Sequence, residues 1–251
     1  MTALGPDSVL LAFVLFCRIG GCLMLMPGFS SPRVPMQVRL LVAIAVTIAL
    51  APMLLPSLRA TVPQPDAGQL AVLVAGEVLT GALIGMMGRM FFLALQFMAV
   101  GVANFFGFGN LPGLPIEDTE PNPPLANLIT LTATILFFTA DLHWEVLRSL
   151  VQSYSVLPIS ASLTMQRGLP MLTDAISDAF FLALQISSPF VVYALIINLM
   201  FGLANKLTPQ VPVYFISLPF VIAGGLILLY FTLGEALRLF IDGFASWLIR
   251  A

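Results

Sequence analysis

The chain has 251 residues, 59% of them hydrophobic and only 9% charged, against about 25% charged in an ordinary soluble domain. A surface of that composition faces lipid or other apolar chains rather than water. Ten Lys and Arg against twelve Asp and Glu leave no basic stripe for nucleic acid, and two cysteines (Cys17, Cys22) with a single histidine (His143) build neither a disulfide framework nor a Cys/His metal cluster. No cofactor is expected, and the cysteines are read as small apolar packing residues.

In chain order, MTALGPDSVL lacks the positive region of a signal peptide. The apolar run Val9 to Phe29 has about 21 residues, enough for a retained first span. Arg18 lies in its middle. Facing lipid it would cost at least ~2.5 kcal/mol on insertion scales, so it is expected to face protein or water. PGFSSPRVP (Pro27 to Pro35) breaks the helix, and a second apolar run follows from Val38 to Leu55. PSLRATVPQPDAG (Pro56 to Gly68) reads as a loop.

From Gln69 to Phe106 the pattern is helical without proline. At 1.5 Å per residue it would stretch ~57 Å, nearly twice a ~30 Å hydrocarbon core. The segment is therefore expected to bend, tilt or divide near Gly85, Gly88 and Arg89. Within GEVLTGALIGMMGRM, Gly81 and Gly85 form a small-xxx-small step, and with Gly88 they are candidates for close helix packing. Glu77 and Arg89, with Arg18, are charges inside apolar runs. Such residues suggest a proton or ion relay, or else pairing elsewhere or snorkelling. Glu77 and Arg89 stand ~18 Å apart on a helix and cannot pair directly.

The segment GFGNLPGLPIEDTEPNPP, Gly107 to Pro124, holds three glycines, five prolines and the acids Glu117, Asp118 and Glu120. It cannot be a helix or a central strand. Phe105, Phe106 and Phe108 stand at its entrance. A connector of that length is functional or disordered more often than it is a bare link. It reads either as a solvated surface loop or as non-helical backbone lining or blocking a cavity.

The next apolar run, Leu125 to Phe138, ends in TADLHWEVLR, where Asp141, Glu145 and Arg148 suit an interfacial helix end. Asp174 and Asp178, one turn apart, read as the wet face of an amphipathic stretch that starts near Leu172, with paired acid/base carboxylates as the chemical alternative. The blocks Leu172 to Lys206 and Val213 to Leu248 form a helical hairpin across the short turn KLTPQVP, which contains Lys206, Pro209 and Gln210. Pro189 and Pro219 are expected to kink its helices. Arg33, Arg39 and Lys206 favour the cytoplasmic side for their loops. The reading is an all-α polytopic membrane protein with long kinked helices, divided into residues 1–170 and a C-terminal hairpin 171–251.

Five stretches in order carry a resemblance over nearly the whole chain: PGFSSPRVPMQVRLLVAIAVTIALAP, GEVLTGALIG, the central Gly/Pro loop before PPLANLITL, HWEVLRSLVQSYSVLPIS, and NLMFGLANKLTPQVPVYFISLP. The chain resembles the FliR/SctT family of type III secretion export-gate proteins, its flagellar branch in wording. That resemblance implies a non-enzymatic subunit with a fold like a fusion of its two smaller partners' folds, the hairpin corresponding to the smaller one. It implies a place in the bacterial inner membrane at the flagellar basal body. The implied partners are several copies of those two membrane proteins, a switch/autoprotease membrane component, unfolded exported proteins and lipid.

The same resemblance puts a luminal plug at the central loop, here Phe108, Gly109, Asn110, Leu111, Pro112, Gly113, Leu114, Pro115 and Ile116. The three acids depart from the expected contacts. A reading of a different class is a secondary transporter or ion-coupled carrier using Glu77, Arg89 or Asp141 at broken helices. A membrane-embedded enzyme lacks its constellation of groups, and no phosphate-cradling glycine loop is present.

Overall fold

The computed structural model describes residues 6–31, 34–61, 67–107, 123–157, 165–208, 210 and 213–250. Their secondary structure is helical throughout: α1 (Pro6–Leu25), α2 (Met36–Thr61), α3 (Ala67–Phe105), α4 (Pro124–Thr139), α5 (Leu142–Val156), α6 (Met165–Leu207) and α7 (Val213–Arg250). The chain is thus all-α. Among the described residues five helices are long and apolar enough to cross a membrane, in α1, α2, α3, α6 and α7, or six if α4 and α5 make one broken span.

Proline placement explains several boundaries. Pro6 and Pro124 open α1 and α4, where a missing N–H costs nothing because that donor has no helical partner anyway. After α1 the chain turns through Gly28, and Arg39 of α2 reaches back to donate hydrogen bonds to the carbonyls of Val34 (2.9 Å) and Ser31.

Two boundaries differ from the sequence reading. The loop expected from Pro56 begins only after Thr61, so Pro52 and Pro56 both lie inside α2. Leu54 and Leu58, one turn apart on either side of Pro56, are buried; their burial outweighs the lost backbone bond. Of the bend, tilt or division expected in α3, the division is absent: the helix runs unbroken for 39 residues. Helix α6 starts at Met165 rather than near Leu172, and Gly168 in its first turns lies against the Leu83 side chain of α3. Both Pro189 and Pro219 sit within continuous helices.

Packing separates two units. One comprises Met1–Phe91, Asp141–Ser177 and Ala245–Ala251; the other Phe92–Ala140 and Asp178–Phe244. In the first, α1 is the central element. Its apolar window is 56% buried, against 17% for α2, and Val14, Leu15, Ile19 and Met26 are almost wholly enclosed. In the second, Phe92 makes edge-to-face contacts with Phe137, Phe240 and Phe244 at centroid distances of 6.2, 5.1 and 5.9 Å. Such aromatic pairs add to area burial.

Hydroxyls in these helices turn inward on their own backbone. Thr47, Thr80, Thr130, Thr132, Thr134 and Thr232 each donate to the carbonyl four residues earlier, at 2.7 to 3.0 Å.

Candidate functional site

Two of the places flagged by sequence are built into defined sites, the foot of the central loop and a charged cluster inside the first unit. At the foot, Phe106, just past the end of α3, is fully buried while its neighbour Phe105 is exposed. The Phe106 ring meets Phe190 and Tyr193 of α6 edge-on, at 5.8 and 5.7 Å, and lies flat in a notch left by Gly225 of α7, where an added Cβ would come within 2.6 Å of the ring. The Tyr193 hydroxyl donates to the Val221 carbonyl at 3.0 Å, tying α6 to α7 beside the notch.

The chain leaves α3 through Gly107, whose φ of 77° is a left-handed conformation that glycine adopts without a Cβ clash. It re-enters helix through Pro123, in an extended conformation (φ −53°, ψ 140°), and Pro124. The entry is therefore stiff, whereas the exit turns on a glycine. Phe108 to Ile116, and the acids Glu117, Asp118 and Glu120, lie outside the described residues.

The second place is built around Arg18. Its side chain is 1% exposed and its guanidinium grips Glu77 of α3 with two bonds, Nε to Oε2 at 2.7 Å and Nη2 to Oε1 at 2.8 Å. This is the planar bidentate geometry that suits a carboxylate. Nη2 also donates to the Leu157 carbonyl at 2.9 Å and Nη1 to Ser153 Oγ at 3.3 Å. The Tyr154 ring lies 4.1 Å beneath the guanidinium carbon. Leu157 is the C-cap of α5, so a cation here satisfies a carbonyl that the helix leaves without a partner.

Glycines let the pair close. A Cβ at Gly81 would overlap the Arg18 backbone, and one at Gly85 would come within 2.5 Å of the Cys22 carbonyl; Gly88 faces the Met26 side chain. Helix α3 thus lies backbone to backbone with α1, one turn from Glu77. Next to Ser153 a cavity of about 20 Å³, lined by Ile84, Met87, Ser149 and Trp247 among others, has room for a single water.

The Tyr154 hydroxyl is buried and has no hydrogen-bond partner among the described residues. Tyr154→Phe should therefore leave stability unchanged or raise it, within about 1 kcal/mol. Tyr154→Leu should lose the contact to the cation, about 1–2 kcal/mol. Thermal unfolding of the purified chain in detergent distinguishes the two.

Other flagged residues are placed apart from these sites. Arg89, Asp174, Asp178, Lys206 and Gln210 are exposed, and Pro209 is outside the described residues. Glu145 and Arg148 pair at 2.9 Å on an exposed helix face, and Asp141 takes a left-handed φ of 57° ahead of α5. Among the described residues no three His, Cys, Asp or Glu side chains converge as a metal set would.

Sequence reasoning flagged Arg18 and Glu77 separately and weighed Glu77 against Arg89 on its own helix, but did not pair it with Arg18, 59 residues away. A usable signal existed. One lone cation and one lone anion sat mid-run in two separate apolar segments, and the anion stood beside the Gly81–Gly85 step that brings backbones together. Ser153, Tyr154 and Leu157 carried no such mark.

The family model of bacterial export proteins, family 1, matches residues 9–247. The flagellar biosynthetic protein FliR of Caulobacter vibrioides is 25% identical over 246 residues, covering 96% of this chain and 95% of that protein. Its namesake in Escherichia coli is 28% identical over 203 residues, covering 81% and 76%. That of Aquifex aeolicus is 25% identical over 235 residues, covering 93% and 89%.

Proposed function

Because the chain belongs to the bacterial export proteins, family 1, we propose that it is a non-enzymatic subunit of the flagellar type III protein export gate in the bacterial inner membrane. In this reading it forms the entrance of the substrate-conducting channel with several copies of two smaller membrane proteins. Residues 171–251 act as the hairpin that takes the place of one more small subunit, and residues 1–170 as the remainder.

One observation carries the reading. Helices α3, α6 and α7 have 39, 43 and 38 residues, well beyond the ~20 that a span needs. Only 17% of the apolar windows of α6 and α7 is buried. Apolar surface of that extent is what partner subunits would cover, and purification of the chain in mild detergent should bring them along. Recovery as a lone, stable monomer would sink the gate.

The central loop, Gly107 to Pro124, is the proposed luminal plug, with Phe108 to Ile116 narrowing the lumen. Its support is the setting of its two ends: a glycine turn that follows the seated Phe106, and a proline pair. Deleting Gly109 to Glu120 should raise ion or small-molecule permeability of membranes containing the complex, and unchanged conductance would count heavily against a plug. The carrier reading loses ground because Arg18 and Glu77 engage each other beside a cavity that holds no more than a water.

A further inference from the structure

Arg18 and Glu77 are each costly inside an apolar bundle. Glu77 has Arg18 as its sole hydrogen-bonding partner among the described residues, whereas Arg18 also holds Ser153 Oγ and the Leu157 carbonyl and lies on Tyr154. The three helices so joined are far apart in the chain: 59 residues separate the two charges, and 139 separate Arg18 from Leu157.

We propose that this pair is a conditional lock on assembly of the chain itself: α1 is held in place only once Glu77 has arrived on α3, and the same guanidinium then fastens the end of α5. The first helix is made with a charge that lipid rejects, and what neutralises it is supplied only after α2 has been passed. Seating α1 thereby reports that α3 is in position. The lock stands whether or not the central loop is a plug, since it involves none of the loop's residues.

The two halves are chemically unequal, and this gives the proposal a signature that packing alone lacks. A carboxyl left without its partner can be discharged by taking up a proton; a guanidinium cannot. Removing Glu77 therefore strands a permanent charge, while removing Arg18 strands one that can be quenched. Removing both strands none, and replacing a buried pair with apolar side chains of similar size is often neutral. Loss of packing would instead make the double variant the worst of the three.

The chain carries its own reporters. Cys17 and Cys22 are buried in α1, 7% and 0% exposed, on either side of Arg18, and the backbone of Cys22 lies against Gly85 of α3. Glu77→Met, Arg18→Met and the double variant should be expressed as full chains with the other gate components. Native membranes are then treated with a membrane-permeant maleimide, and both the alkylation rate and the amount of chain in the membrane are read.

Glu77→Met should alkylate about tenfold faster or more than the unsubstituted chain, the equivalent of one decade in the opening equilibrium, and should accumulate least. Arg18→Met should be intermediate, and the double variant should return to within about twofold of the original rate and amount. The lock is overturned if Glu77→Met stays as protected as the original chain. It is equally overturned if the double variant is labelled as fast as Glu77→Met or fails to accumulate.

Discussion

Gly81→Val is expected to force the first and third helices apart. A single Cβ at position 81 already overlaps the carbonyl and Cα of Arg18, and that obstacle is backbone, which has no rotamer to move into. Overpacking costs typically ~1–3 kcal/mol, and the rigid obstacle places this substitution at the upper end or above. Widening the gap also lengthens the Arg18–Glu77 bonds, now 2.7 and 2.8 Å, so the steric cost draws the electrostatic one after it. Gly76→Ala is the control on the same helix. Nothing lies within 4 Å of a Cβ there, and alanine is the better helix former by about 0.8–1 kcal/mol. Thermal unfolding in detergent should therefore move in opposite directions for the two, and a shared direction would show that close approach is not what the glycines serve.

Phe106→Ala is expected to be as damaging, by a different route. The ring is wholly enclosed between Phe190, Tyr193 and the Gly225 notch, and removing a buried phenylalanine costs about 3–5 kcal/mol. Part of that loss is local: the last turn of α3 is what holds Gly107 in place ahead of the loop. If the loop is the plug, Phe106→Ala should raise leakage even where the chain still accumulates, as the deletion does, while Phe105→Ala, on the exposed neighbour, should change neither. Conductance of membranes containing the complex, normalised to the amount of chain, separates the two phenylalanines. Equal leakage from both would remove Phe106 from any role in setting the loop.

Much of the fold is legible in the residues because apolar runs and proline clusters are local signals. The turn after α1 and the start of α4 are of this kind. The boundaries misread were those where distant packing decides: Leu54 and Leu58 carry α2 through Pro56, and Leu83 beside Gly168 accompanies the early start of α6. The same division holds for the sites. A glycine/proline loop with aromatic residues at its entrance stands out in the sequence, but that Phe106 is the one enclosed and Phe105 the one exposed depends on α6 and α7. The Arg18–Glu77 pair could be suspected from charge alone, whereas its attachment to Leu157 could not, because a backbone carbonyl leaves no trace in side-chain chemistry.

The threonines of α4 have a further consequence. Residues such as Thr130, Thr132 and Thr134 look hydrophilic on a residue scale, yet each hydroxyl proton is already spent on its own helix. What such a side chain offers outward is chiefly its methyl group. A neighbouring subunit or lipid tail therefore meets a surface greasier than the letters TLTAT suggest, with recognition along α4 resting on relief and fit rather than on donors and acceptors.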